Sequence, residues 1–523
     1  MSNTRAYPGA APRVASSEGR RMFAFLCMVF GMFMAILDIQ IVSASLSEIQ
    51  AGLAASSDEI SWVQTSYLIA EVVMIPLSGF LSRALSTRWL FAASAAGFTV
   101  MSFMCATATT INEMIVFRAL QGFLGGGMIP TVFAAAYTVF PREKQSVVAP
   151  LIGLVATLAP TIGPTIGGYL TDLLSWHWLF LVNVIPGIFV VITTVTLVDF
   201  DEPDLALLDR FDWWGLLFMA GFLGSLEFVL EEGPTNDWFA DQWISALAVV
   251  GSVSALAFFA RVFMAREPVV DLRAFSNRNF AVGSAFSFVV GIGLYGLTYL
   301  YPLYLARVRG YSALMIGETM FISGLAMFFC APIAGRLMGK IDPRLMIAFG
   351  FGAFAAGTWQ VTGLTKDWDF WELLMPQILR GVGIMMAMIP INNISLGTLP
   401  PAQIKNASGL FNLMRNLGGA VGLALINTVL NARWDLHLAR LHEQVQWANA
   451  VAVEQLDEMT QGFSSLGSDA GKAALKALAG KVRVQAEVMA FSDVFMVLTV
   501  LFVALFLAAP LLRRPSHAVG GGH

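Results

Sequence analysis

Seven ionisable side chains stand inside stretches otherwise apolar enough to cross a bilayer: Asp38, Glu71, Arg118, Glu227, Glu318, Arg380 and Arg415. A charge in hydrocarbon is costly, so each is a site candidate by default. A carboxyl holds its proton more tightly when buried and less tightly beside an arginine. A carboxylate that is paired in one conformation and desolvated in another therefore loads and releases a proton. Asp38 and Arg118 fit that chemistry best. Glu71, near the middle of its span, either joins them or bonds neighbouring helices. Glu227 and Glu318 are expected to be structural or to face water, and Arg380 and Arg415 to pack or gate.

The residues that must position these groups include an unusual apolar stretch, Leu154 to Gly168, reading LVATLAPTIGPTIGG. It holds Pro160, Gly163, Pro164, Gly167 and Gly168. Proline removes a backbone donor and glycine lets a second backbone come close. Hydrocarbon penalises unsatisfied backbone groups, so such a segment persists only against protein or beside a cavity. Gly163 and Gly167 are four residues apart and share a helix face.

The surrounding chain has 523 residues, 57% hydrophobic and only 13% charged, with a net charge of −4. Soluble domains carry about 25% charged residues. The weak net charge argues against a nucleic-acid partner. Cys27, Cys105 and Cys330 all fall in apolar stretches, which excludes a disulfide framework. Fourteen segments meet the length a membrane helix needs. The first begins near Arg21, is too long for a signal-peptide core and has no A-x-A cleavage pattern after it, so it is read as retained. Arg20, Arg21, Arg83, Arg88, Arg142, Lys144, Arg336, Lys340, Arg344 and Arg513 gather on one side. Short loops on the other carry only Arg307, Arg309 and Lys366. The positive-inside rule then places both termini in the cytoplasm.

Two internal repeats divide the chain. GFLSRALSTR (Gly79 to Arg88) and GRLMGKIDPR (Gly335 to Arg344) share glycine, leucine and the last arginine at equal offsets. Arg118 and Arg380 recur in the second span after each. This predicts an all-α membrane protein of two six-helix bundles with an inserted pair. The expected division is a cytoplasmic tail 1–20, an N-terminal bundle 21–200, inserted helices 201–270 and C-terminal spans 271–430. A helical outer loop 431–488, the last span 489–512 and a tail 513–523 follow.

Several motifs resemble one family. The stretch around Pro160 resembles the antiporter motif of drug–proton exporters in the major facilitator superfamily, with Ala159 in place of its first glycine. LDIQIVSASL (Leu37 to Leu46) resembles the first-helix motif of the fourteen-span EmrB/QacA type, Gln40 and Ser43 departing from it. Arg118 in RALQG resembles the arginine that this family assigns to proton transfer. The loop Gly79, Arg83, Arg88 and its repeat Gly335, Arg344 resemble the gating loops. There Arg83 stands where the family has an acidic residue and Ser86 where it has a second glycine.

The resemblance implies the facilitator fold and proton-coupled export of hydrophobic or amphipathic toxic compounds across the bacterial inner membrane. It implies no cofactor beyond the proton gradient and no enzyme activity. It also implies a periplasmic membrane-fusion adaptor of the EmrA kind and an outer-membrane channel as partners, docking on 431–488. A cavity of mostly apolar lining is expected, with Gln64, Tyr67, Gln121, Tyr295, Trp359, Gln377, Asn392 and Asn393 as polar candidates. Export of one dedicated metabolite or siderophore is the alternative. A membrane enzyme would need a catalytic cluster, and a nucleotide-driven pump a GxxxxGK[ST] loop; the sequence contains neither. An accessory or sensor protein that binds without transporting fits poorly with Asp38 and the Pro/Gly stretch.

Overall fold

The computed structural model describes residues 18–265, 268–338 and 340–512, and the regular structure among them is helical. In hydrocarbon a backbone must satisfy its own polar groups, and helices do so within one segment. The first half contains α1 (Glu18–Ala44), α2 (Trp62–Ala84), α3 (Ser86–Ala106), α4 (Ile111–Val139), α5 (Gln145–Leu173) and α6 (Trp178–Leu197). Two further helices follow, α7 (Trp213–Glu232) and α8 (Gln242–Met264). The second half contains α9 (Arg278–Arg307), α10 (Ala313–Leu337), α11 (Pro343–Val361), α12 (Phe370–Gly397), α13 (Pro401–Gln444) and α14 (Ala470–Ala508).

Thirteen of these helices are long and apolar enough to cross a membrane. The fourteenth, α11, is 19 residues long and carries Arg344 and Gln360 at its ends, which lowers its hydropathy. It packs between α12 and α14 like the others.

Three departures from the sequence reading have local causes. First, α4 loosens at Gly126–Gly127, where the run of glycines lets α2 come close. A methyl built on Gly126 would lie 3.0 Å from the Glu71 carbonyl oxygen. Second, the last two helices of the bundle run on into the outer segment. α13 and α14 simply continue through it, joined by the helix Ala450–Gly462. Third, the outer segment is interrupted between Gln444 and Ala450, where α13 ends and Val445 is exposed.

The halves meet along two seams, α5 against α10 and α2 against α13. α7 packs on α2 and α13, while α8 touches mainly α7. Asp212 joins the inserted pair at its Lys/Arg-rich end. Its Oδ1 accepts the Gly215 N–H, capping α7, and also the Arg261 Nε of α8, both at 3.0 Å.

Candidate functional site

Asp38 of α1 and Arg118 of α4 form a wholly buried ion pair, Arg118 Nη1 lying 2.6 Å from Asp38 Oδ2. The pair is held on every side. Asp38 Oδ1 accepts from Asn183 Nδ2 of α6 at 2.7 Å and from Gln121 Nε2 at 3.3 Å. Arg118 donates through Nε to the Val63 carbonyl at 3.1 Å and through Nη1 to Gln121 Oε1 at 2.7 Å. Ser102 Oγ of α3 receives Gln121 Nε2 at 2.7 Å. The guanidinium rests on the Tyr67 ring, 4.2 Å from its centroid. Arg118 Nη2 and the Tyr67 hydroxyl are buried without a partner. Five helices thus contribute to one hydrogen-bonded network around the carboxyl.

The second half repeats this arrangement without the acid. Arg380 of α12 donates to Thr298 Oγ1 of α9 at 2.7 Å and to Gln377 Oε1 at 3.4 Å, and faces Tyr301 at 5.8 Å. Thr298 stands beside Arg380 where Asp38 stands beside Arg118. A threonine hydroxyl stays neutral where Asp38 offers a carboxyl, so among the described residues the buried ion pair of the first half has no counterpart at Arg380.

The Pro/Gly stretch lies in the middle of α5, which stays one helix through Pro150, Pro160 and Pro164. Its glycine face packs on α1, the helix that carries Asp38. A Cβ on Gly163 would overlap the Cβ of Gln40, and one on Gly167 would come 2.9 Å from the Ile41 carbonyl oxygen. The buried Pro160 and Gly168 flank this contact, and the half-buried Pro164 lies inside it. The opposite face meets α10, where Gly324 approaches Leu158. α5 is therefore wedged between the acid-bearing helix and the other half.

The Lys/Arg-rich end of the molecule is closed. A Cβ on Gly79 would lie 2.8 Å from the Asn406 Cα of α13, and one on Gly335 would lie 2.5 Å from the Ser146 carbonyl oxygen of α5. An ion pair joins Lys405 of α13 to Asp201, which follows α6, and Asp201 also accepts the Thr87 N–H at 3.0 Å. Lys405 Nζ reaches the Ser82 carbonyl at 2.9 Å. The acid that the Gly79–Arg88 loop lacks at Arg83 is thus supplied from another segment. Arg83 instead lies over Phe80, Arg88 donates to the Val195 carbonyl, and the Arg344 N–H bonds Asp342 Oδ1. Ser86, at the motif's glycine position, takes a left-handed φ of 76°, a conformation that costs a non-glycine residue about 1–2 kcal/mol.

At the other end of the helices, α1, α2, α7, α9 and α13 line a cavity of about 70 Å³. Gln64, Glu71 and Tyr295 line it, and Glu71 therefore faces the cavity and takes no part in the Asp38–Arg118 pair. Tyr67 and Gln121 belong to that pair's network. Gln377 belongs to the Arg380 cluster, and the buried Asn392 and half-buried Asn393 line no part of the cavity. Trp359 is 63% exposed on the outer surface of α11 and is no cavity residue. Glu318 is exposed, and Glu227, expected to be structural or to face water, is buried at the cavity. Sequence reasoning missed Asn183, Ser102 and Asp201. Asn183 is a lone amide in an apolar span, a signal as legible as Asp38; Asp201 sits in a polar linker with nothing to single it out.

Two six-helix halves around a central cleft, with a buried acid–base pair on one side, define a membrane transporter. Residues 28–423 match the Major Facilitator Superfamily, and the chain belongs to that family. It is 42% identical to the "Colistin resistance protein EmrB" of Acinetobacter baumannii over 92% of this chain and 94% of that one. It is 30% identical to the "Multidrug export protein EmrB" of Escherichia coli K12, covering 94% and 95%. The human organic anion transporter MFSD10 superposes with a TM-score of 0.55 at 13% identity over 93% of this chain and 100% of that one. At that identity the likeness concerns the fold alone.

Proposed function

We propose that the protein is a proton-coupled multidrug exporter of the bacterial inner membrane, with both termini cytoplasmic. The observation that carries this reading is the Asp38–Arg118 pair, a buried acid and base held by side chains and backbone of five helices. The export names of its relatives support the direction of transport. With the Lys/Arg-rich end taken as cytoplasmic, the structure is a state closed inside, its cavity towards the periplasm. Protonation of Asp38 removes the charge that Arg118 holds, loosening α1 from α4. α1 then shifts against the Gly163 face of α5, and the halves rock. In inverted vesicles containing the protein, an imposed proton gradient is expected to drive uptake of an amphipathic dye, and collapsing the gradient to stop it. Gradient-independent movement alone would contradict the reading.

The extensions of α13 and α14 with Ala450–Gly462 are the docking surface for a periplasmic adaptor that leads on to an outer-membrane channel. Exposed Trp447, Val451, Leu466 and Leu475 support this. Replacing 445–469 by a short linker is expected to spare vesicle transport and to remove adaptor co-purification and whole-cell resistance. Retained co-purification would make the segment a tether.

A further inference from the structure

The halves differ at one place where the internal repeat predicts likeness. In the first half α2 and α3 are joined by Leu85 alone and pack on each other. In the second, residues 338–342 separate α10 from α11, and both helices pack on α12 and barely on each other. The gap is a groove of about 860 Å³ with α12 as its floor, and every side chain lining it is apolar. Phe329, Leu345 and Phe349 are more than half exposed along it, so it opens sideways from the helices and not into the central cleft. On α10 it runs from Ile322 to Leu337, about 22 Å at 1.5 Å per residue. One leaflet's share of the hydrocarbon core is about 15 Å.

The groove ends at the Lys/Arg-rich face, where its last residues, Leu337, Ile341 and Leu345, are interleaved with Arg336, Lys340 and Arg344. Arg336 follows Ile333 by three residues and Phe329 by seven, which puts it on the groove face of α10. Arg336 and Lys340 are exposed, and among the described residues neither side chain has a hydrogen-bond or ion-pair partner. Arg344 is half-buried, with its Nε buried and lacking an acceptor. Asp342, the one acid of this turn, caps α11 by accepting the Arg344 N–H at 3.1 Å. The first half handles its basic end differently. There Asp201, supplied by the chain after α6, takes the Thr87 N–H and pairs with Lys405. The stretch after α14, residues 513–523, reads RRPSHAVGGGH and offers no acid.

A long apolar groove with uncompensated cations at its interfacial end complements a molecule that joins a hydrocarbon chain to an anionic head. Basic residues between membrane helices hold lipid phosphates, and a guanidinium does so through paired N–H donors. We propose that this groove binds an anionic phospholipid, one acyl chain lying along α10 and the phosphate held among Arg336, Lys340 and Arg344. The lipid fills the place that direct α2–α3 contact fills in the first half. It thereby braces α10, the helix that meets α5 at the seam between halves. Such a site requires only that the helices span a bilayer and is independent of the exporter reading.

The test uses the full-length protein in phosphatidylcholine liposomes doped with phosphatidylglycerol or phosphatidylcholine, each carrying the same photoreactive acyl chain. Labelled peptides are located by mass spectrometry. Phosphatidylglycerol should label the groove residues of α10 and α11 at least about tenfold more than phosphatidylcholine, cations near an anionic headgroup being worth that much together. Both lipids should label α8 alike at Val249, Val253 and Leu256, an exposed apolar face. In Arg336→Gln with Lys340→Gln the preference at the groove should fall about tenfold. Ile333→Trp fills the groove and should remove its label while sparing that of α8. Thermal unfolding of each variant shows that it is folded. Equal labelling of the wild-type groove by the two lipids makes it an ordinary bilayer contact and overturns the proposal. So does an unchanged preference in the folded double variant, or groove label that persists in folded Ile333→Trp. Displacement of the label by tetraphenylphosphonium and not by unlabelled phosphatidylglycerol would make the groove a site for small amphipathic cations and overturn the lipid class.

Discussion

Asp38→Asn is expected to abolish uphill, gradient-driven export while leaving downhill exchange of substrate measurable. The amide is isosteric and can still accept from Asn183 and Gln121, which now lie 2.7 and 3.3 Å from Oδ1. It carries no exchangeable proton. It also leaves Arg118 buried without its counter-charge, and breaking a buried pair costs about 3–5 kcal/mol. Some loss of stability therefore accompanies the loss of coupling, and the two must be separated. Asp38→Asn combined with Arg118→Gln removes both charges. It should melt at a higher temperature than the single variant and be equally unable to couple. Recovery of uphill export in the double variant would show that the single one failed for want of stability alone. Arg118→Lys should fall between wild type and Arg118→Ala, because lysine keeps the charge and loses the fork that reaches Val63, Gln121 and Asp38 together.

The second large effect is expected at the α1–α5 contact. Gly163→Leu drives a branched side chain into Gln40, where even a Cβ has no room. Overpacking of this kind costs about 1–3 kcal/mol, and here it separates the acid-bearing helix from the helix that joins the halves. Export should fall by at least about tenfold, since each 1.4 kcal/mol on a rate-limiting step is a factor of ten. Gly163→Ala alone should be intermediate. Adding Gln40→Gly removes the clashing Cβ and leaves the Gln40 backbone 3.4 Å away, an ordinary contact. Thermal stability should then return most of the way, a coupling visible in a double-mutant cycle. Wild-type export by Gly163→Leu would mean that α1 and α5 do not move together.

What the sequence disclosed followed from the cost of charge and loose backbone in hydrocarbon. Asp38 and Arg118 were legible because a lone charge in an apolar span needs a partner, and each was the other's nearest candidate. The glycine face of α5 was legible by spacing, and the helix count by length. What stayed hidden depends on where side chains point. Glu71 and Glu227 are alike in sequence to any acid that bonds a neighbouring helix; only the geometry of α2 and α7 turns them into the cavity. Aromatic and amide residues gave a poor cavity forecast for the same reason, since Trp359 covers the outer face of α11 while Gln377 serves Arg380. The ends of α13 and α14 were missed because a helix leaving the membrane needs no break, and polar composition there reads like a loop. Asp201 was invisible because its partners Thr87 and Lys405 are distant in the chain.

The most direct measurement of the central claim is the reciprocal of transport. Coupling between two ligands must act both ways. If Asp38 exchanges its proton against substrate, a substrate gradient must move protons. In proteoliposomes loaded with a pH-sensitive dye and held without an imposed proton gradient, adding an exported amphipathic compound on one side should move protons in the direction opposite to the compound. Asp38→Asn should abolish that proton signal while substrate still crosses. Proton movement that persists in the folded Asp38→Asn variant, or substrate flux in the wild type with no accompanying protons, would contradict the account.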